Sequence, residues 1–289
     1  MFKVTTLFCL PAGILLLLLL LGACNLSKEV DIDLPEYPSQ PVVECYLEPG
    51  QPFRLLLTRS FGFFDPLGLD TSAARRALLN GALVIISYKD RTDTLYNGAF
   101  SNFAKPFKVF NYQNDLPVPA TPGLEYTLQI TLADGGTITG KTTMLPVIPI
   151  DSTRVQWKMD AGKDTVAQVL TYFTDDPSTT NYYRRLLNYQ RLSSLPDQDF
   201  LFTDRMNVTP LIAFGTHYDL IEGDTVFNTI FNISKDYYDY YESIQLAVLG
   251  NLNPFTQPST IKSNVQGSAN PMGIFTCLAY DREKTLVKR

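Results

Sequence analysis

The chain has 289 residues, of which 45% are hydrophobic and 12% aromatic, and its formal net charge is −5. Apolar content is ample for packed cores, with no collagenous, coiled-coil or disordered signature. The negative balance argues against nucleic acid and against polybasic membrane docking, both of which need a positive face.

Lys3 is the sole charge before Cys24, and an apolar run covers Ile14 to Leu21. A basic start, a short apolar run and small residues before a cut site predict a secretory signal over residues 1–23. The run is short for a spanning helix, which needs ~20 apolar residues. Leu21-Gly22-Ala23-Cys24 is also a lipobox. It resembles the site where bacterial lipoprotein processing attaches a diacylglycerol to the thiol and cleaves in front of it, so Cys24 is the expected lipid attachment. Removal of residues 1–23 takes away Lys3 alone and leaves a charge of −6.

Residues 24–40 are polar and acidic (Glu29, Asp31, Asp33, Glu36), with Pro35, Pro38 and then Pro41 at the end. Proline favours extended backbone and removes donors, so this stretch reads as a flexible tether. Acidic residues soon after a lipidated cysteine resemble the surface-export signals of Bacteroidota lipoproteins; a merely solvated leash fits equally well.

Strands are expected at 42–47 and 53–60, joined by Glu48-Pro49-Gly50-Gln51-Pro52 as a hairpin. Phe61 to Phe64 open an aromatic, Gly- and Pro-containing excursion. A strand is expected at 81–88, with its return beginning at 94–96. Residues 98–122 read as irregular, with Phe100, Phe103, Phe107 and Phe110 spread through them. Tyr126, Leu128 and Ile130 then alternate with polar neighbours, the period of a strand with one buried face. Asp134-Gly135-Gly136 supplies the turn to 137–144. Short strands between turn signals predict an antiparallel sandwich over 41–145, and Pro146 to Pro149 form a linker.

A second β-rich domain is expected over 150–289. Strand candidates are 153–159, 165–173, 181–192, 200–202, 211–214 and 226–233, with 273–279 as a closing strand. One helix stands out at about 235–249. Ser234 is its N-cap, Asp236 favours its first turn, and Gly250 stops it. Tyr237, Tyr241, Ile244 and Val248 share one stripe. Tyr238 and Tyr240 are expected to point elsewhere, toward a neighbouring domain or partner. The fold class is therefore mainly β: two antiparallel, immunoglobulin-like sandwich regions and one helix.

Asn253-Pro254-Phe255, Pro258, Ile261, Ser263-Asn264-Val265, Gly267 and Gly273-Ile274-Phe275 form the most distinctive segment. With the lipobox, Val42-Val43-Glu44, and Asp176-Pro177 followed by Asn181-Tyr182-Tyr183, they resemble a family of Bacteroidota lipoproteins of unassigned function called domain of unknown function 4249. Residues 268–272 interrupt the family's usual passage from Ser-Asn to Gly-Ile-Phe. Members are commonly associated with TonB-dependent outer-membrane receptors, which implies an accessory role in nutrient capture. Read from residue chemistry, the signature consists of turn formers that fix a loop crossing the domain.

Catalytic motifs are sparse. His217 is the single histidine and has no Gly-x-Ser-x-Gly elbow to serve. There is no His-Glu-x-x-His and no paired Cys-x-x-Cys, so no metal site is expected. Asp175-Asp176, Asp197 to Asp199 and Asp219 to Asp224 are oxygen-rich loops without the EF-hand pattern. Cys45 and Cys277 either pair across an oxidising compartment or sit free in the core. Asp93-Thr94-Leu95, Asp151-Ser152-Thr153, Asp164-Thr165-Val166 and Asp224-Thr225-Val226 resemble a Bacteroidota O-glycosylation motif.

The expectation is a non-enzymatic, lipid-anchored outer-membrane protein that docks to a TonB-dependent receptor. It has no cofactor, no catalytic residue and an unidentified ligand. Phe61 to Phe64, Phe100 to Phe110 and the helix tyrosines are its candidate contacts. An envelope hydrolase of glycan or peptide and a structural adhesin are the alternatives.

Overall fold

The computed structural model describes residues 38–61, 76–102, 108–159, 165–192, 195–205, 209–251 and 260–289. Pro38–Arg289 form one compact unit. The expected signal, Cys24 and most of the tether lie outside the described residues, as do Phe63, Phe64, Phe103, Phe107 and the segment from Asn253 to Pro258.

The chain is mainly β, as expected. Its first strands are β1 (Pro41–Leu47), β2 (Pro52–Arg59), β3 (Leu83–Tyr88), β4 (Arg91–Asn102), β5 (Lys108–Pro117), β6 (Glu125–Thr131) and β7 (Thr137–Thr143). After them come β8 (Ile150–Met159), β9 (Thr165–Thr174), β10 (Tyr182–Tyr189), β11 (Gln198–Thr203), β12 (Leu211–Gly215) and β13 (Thr225–Ile233). Helix α1 (Lys235–Asn251) precedes β14 (Val265–Gln266), β15 (Met272–Cys277) and β16 (Ala279–Leu286).

The first sheet has nine strands in the order β14-β7-β6-β3-β4-β5-β2-β1-β15. Seven come from residues before 145, and the two edges come from the far end of the chain. The sheet curls until its edges meet, giving a flattened, nearly closed barrel. Val43, Leu55, Leu57, Ile86, Tyr126, Leu128, Ile130 and Phe275 fill it, each fully buried. Alternation along β6 thus points Tyr126, Leu128 and Ile130 inward. Gly135 takes the positive φ of the β6–β7 turn.

The stretch expected to be irregular contains β5 and part of β4. Polar residues at inward positions hide its period. Asn111 is completely buried, and its side chain replaces a neighbouring strand. Its Oδ1 accepts from Leu57 N at 2.8 Å and its Nδ2 donates to Leu57 O at 2.9 Å. Pairing slips beside it, between Asn97 and Phe100 on β4 and between Pro52 and Arg54 on β2.

Closure depends on the return of the chain. β15 runs parallel to β1, from Val42 opposite Met272 to Leu47 opposite Cys277. Gly273, at φ +126°, is required there: a Cβ would collide with the Val43 carbonyl oxygen. The other edge of β15 is held by Asn264, whose backbone N also donates to Gly273 O at 3.4 Å. Asn264 Nδ2 donates to Phe275 O at 2.8 Å, and Asn264 Oδ1 accepts from Phe275 N at 2.9 Å. Val265 and Gln266 meanwhile pair with Gly140 and Thr139 of β7. Ser263-Asn264-Val265 is therefore the seam of the barrel.

The second body is a three-on-four sandwich. Sheet β12-β9-β8 faces sheet β11-β10-β13-β16. This is the layer architecture that immunoglobulin and fibronectin type III domains use. The charged strand β16 is an addition to the expected set, since its polar alternation gives a weak signal. β14 and β15, from the same C-terminal region, belong to the barrel.

Helix α1 packs on the outer face of β10. Ser234 caps it, with Tyr237 N donating to Ser234 Oγ at 3.2 Å. The buried stripe is Tyr237 and Tyr240 with Ser243, and Tyr241 and Ile244 are partly covered. Two expectations change here. Tyr240 is only 5% exposed and lies in the core, whereas Val248 is 56% exposed. The helix meets two bodies at once, so its buried face turns toward Tyr240 on the barrel side.

Replacing Asn264 with Ala leaves an N–H and a C=O of the buried residue Phe275 without partners. It should lower the unfolding free energy by roughly 2–6 kcal/mol in urea denaturation, at about 1–3 kcal/mol per orphaned group.

Candidate functional site

β9 and β10 are joined by residues 175–181; of the connection between β11 and β12, Asp204, Arg205, Thr209 and Pro210 are described. These residues lie at one end of the sandwich, because β10 pairs antiparallel with β11 and β12 antiparallel with β9. In immunoglobulin-like domains, loops clustered at one end carry binding. A cleft of about 210 Å³ opens among them, between Asp175 to Thr180 on one side and Asp204, Arg205 and Thr209 on the other.

Its floor is made of carboxylates. Asp175 is 5% exposed and Asp204 is 7% exposed. Asn181 clasps them: its Nδ2 donates to Asp175 Oδ1 at 2.9 Å and to Asp204 Oδ2 at 3.2 Å, and its backbone N donates to Asp204 Oδ2 at 2.9 Å. The Tyr183 hydroxyl donates to Asp175 Oδ1 from inside the sandwich. Burial raises the Asp175 carboxyl above its ordinary 3.8, and the adjoining Asp204 adds to this, while the bonds from Tyr183 and Asn181 pull the other way. Asp176 turns outward and accepts from Ser178 N and Oγ at 2.9 and 2.6 Å. Ser178, Thr180 and Thr209 line the walls with hydroxyls, and Arg205 stands at the rim.

The neighbouring arginines on β10 point opposite ways, as strand period demands. Arg184 faces α1, with Nε and Nη2 on Asp199 at 2.8 and 2.6 Å and Nη1 on the Tyr237 hydroxyl at 2.5 Å. Tyr241 adds a bond to Asp199 Oδ2 at 2.8 Å. Arg185 points into the sandwich and is 1% exposed. It lies between the rings of Phe200 and Phe214, 5.6 and 5.5 Å from their centroids, and donates to Asn228 Oδ1 at 2.7 Å. Burial pushes its guanidinium down to about 10, still cationic at neutral pH.

The family model described as Domain of unknown function (DUF4249) matches residues 27–284. The chain belongs to this family. No curated protein matches it.

The segments that carry the resemblance divide between two places. Ser263-Asn264-Val265 and Gly273-Ile274-Phe275 close the barrel, whereas the segment from Asp176 through Tyr183 frames the cleft. Composition marks the oxygen-rich loop at 175–176 but not Asp204, which lies 29 positions away. The remaining acidic loops serve the backbone: Asp197 accepts from Tyr189 N at 2.7 Å and Asp224 from Ile221 N at 2.8 Å. His217 is exposed in the turn after β12. Among the described residues, no group of three or more His, Cys, Asp or Glu is placed to hold a metal ion. Of the expected aromatic contacts, Phe61 is 38% exposed and Phe110 lies under Arg54, 5.4 Å from its ring centroid. In the O-glycosylation-like motifs, Thr94 and Ser152 are exposed on strands, and Thr225 is half-buried.

Cys45 and Cys277 are both free and buried. They point into the barrel from neighbouring strands two rows apart, since Cys45 opposes Phe275 and Cys277 opposes Leu47. Burial raises both thiols, that of Cys277 to about 12. Neither should react with Ellman's reagent in the native protein at pH 8, and both should react in guanidinium; fast native labelling would refute this packing.

Asp175 holds its proton more tightly folded than unfolded. The stability this supplies is full below its ordinary value of 3.8 and is lost as pH rises through the raised folded value. Asp175→Asn should therefore gain in melting temperature relative to the parent as pH rises from 4 to about 7. A constant difference across that range would contradict the assignment.

Proposed function

We propose that the protein is a non-enzymatic binding module, held on the outer membrane by lipid on Cys24 and docked to a TonB-dependent uptake receptor. The observation that carries this reading is Leu21-Gly22-Ala23-Cys24, followed by an acidic, proline-bearing leash that stops where β1 starts. Sixteen residues separate Cys24 from Pro41. Such a tether holds the folded body within nanometres of the membrane, at high effective concentration toward a membrane partner. The folded body adds a cleft at one end of a sandwich, the end where immunoglobulin variable domains carry their binding loops.

The carboxylate pair weighs on the hydrolase alternative. Glycosidases hold their two carboxyl groups about 5 Å or more apart, with sugar or water between them. Asp175 and Asp204 instead make direct hydrogen-bond contact, and Asn181 and Tyr183 occupy their oxygens. That arrangement binds or braces.

Tagged full-length protein should label with radioactive palmitate, fractionate with outer membranes and co-purify with a barrel receptor after mild solubilisation. Cys24→Ala should abolish the label and release the protein from the membrane. Unchanged membrane attachment in that variant would overturn the anchor, and repeated isolation without any receptor would overturn the docking.

A further inference from the structure

The two adjacent arginines of β10 are placed in opposite surroundings. Arg184 meets a carboxylate, since Asp199 accepts from its Nε and its Nη2. Arg185 points into the sandwich and is 1% exposed, and among the described residues no Asp or Glu forms an ion pair with it. A buried charge is costly unless it is paired and hydrogen-bonded.

The protein serves part of this guanidinium. Its Nε donates to Asn228 Oδ1 at 2.7 Å, and its Nη1 donates to Gly215 O at 3.4 Å. Asn228 is fixed in turn, because its Nδ2 donates to Thr171 Oγ1 at 2.7 Å. The Phe200 and Phe214 rings pack beside the cation. Nη2 is buried and meets no acceptor among the described residues.

A second buried donor stands in the same condition, on a different side chain. Tyr189 shares the inward row of β10 with Arg185, and its hydroxyl is buried without a partner among the described residues. Arg185 and Tyr189 act on each other's ionisation, so the two are electrostatic neighbours. Asp197 and Asp219 also act on Tyr189, but neither acts on Arg185. Asp197 Oδ2 is already engaged by Tyr189 N.

The ligand chemistry follows from what these two groups offer. A guanidinium has donors and no acceptor, and a neutral phenol offers its O–H. A metal cation is repelled. A water molecule accepts from both groups but leaves the positive charge uncompensated. A carboxylate or phosphate ester would have to displace Phe200, Phe214 or Leu187 from a packed core. A monoatomic anion accepts from both donors, supplies the counter-charge and needs little more than the roughly 30 Å³ of one water.

We propose that the sandwich binds one halide ion, chloride under ordinary conditions, between Arg185 Nη2 and the Tyr189 hydroxyl. The ion ties the two sheets together. Arg185, Tyr189 and Asn228 belong to the four-stranded sheet, whereas Gly215 and Thr171 belong to the three-stranded one. The assignment does not rest on the lipid anchor or on receptor docking.

Thermal melts of the full chain in a nonionic detergent test this, with sodium bromide or chloride replacing sodium gluconate at constant ionic strength. Halide should raise the melting temperature by several degrees along a saturating curve. Tyr189→Phe keeps the ring and removes one donor, so half-saturation should need about tenfold more halide, the usual loss for a hydrogen bond to a charged group. Arg185→Gln should abolish the dependence, and Tyr96→Ala, 69% exposed on the barrel, should retain it. Crystals of the parent grown in bromide add a readout that needs no variant to fold: an anomalous peak beside Arg185 Nη2. A melting temperature indifferent to halide, equal half-saturation in Tyr189→Phe and the parent, or water in place of bromide at Nη2 would overturn the proposal.

Discussion

The parallel pairing of β1 with β15 is the constraint on which the rest of the molecule depends. β1 is the first strand of the folded body, and β15 arrives 230 positions later, Val42 opposite Met272. Between them the chain builds most of the barrel and all but one strand of the sandwich. The barrel therefore lacks an edge until the sandwich's seventh strand is about to form. Non-local pairings of this kind are slow, because loop entropy is lost before the contact is gained. The two bodies are interleaved: β15 ends at Cys277 and β16 starts at Ala279, with Leu278 N bonding Leu47 O at 2.9 Å at the crossing.

Interleaving also explains the helix. α1 occupies the connection from β13 to β14, between the outer face of the sandwich and the outer face of the barrel. Tyr237 touches both. Its ring meets that of Tyr46 on β1 edge-on at 6.0 Å, and its hydroxyl accepts from Arg184 on β10. Ile274 and Leu278 join the same cluster. Two asparagines complete the framework where strands are missing. Asn111 stands in for a strand beside Leu57 and Asn264 beside Phe275, each offering one donor and one acceptor at backbone spacing. Buried backbone groups must be paired, and a primary amide is the side chain that imitates a peptide group.

Hairpins were legible because their information is local. The β6–β7 hairpin, with alternating Tyr126, Leu128 and Ile130 and a turn at Gly135, carries its register in adjacent residues. Ser234 likewise announced α1. What stayed hidden was set by distant partners. Asn111 is a polar residue at a core position, so a count of apolar alternation misses β5. Tyr240 faces inward only because a barrel lies on that side of the helix. β14 is two residues long and exists because β7 offers it an edge. In the cleft, Asp175 was visible as part of an acidic loop, but Asp204 became its partner only through the pairing of β10 with β11.

The segment from Asp175 to Arg184 shows how one stretch serves both scaffold and cleft. Strand alternation gives Tyr183 to the interior, where its hydroxyl rises to Asp175, and gives Tyr182 and Arg184 to the face that carries α1. The bonds of Arg184 to Asp199 and Tyr237 thus fix the height of the same strand that holds Asn181 and Tyr183 under the cleft. Two nearly buried carboxylates in contact are costly unless donors surround them. Here the donors come from a side chain, a backbone amide and a hydroxyl on a strand already pinned by the helix. Position is imposed on Asp175 and Asp204 by those donors together with the contact between the two carboxyl groups.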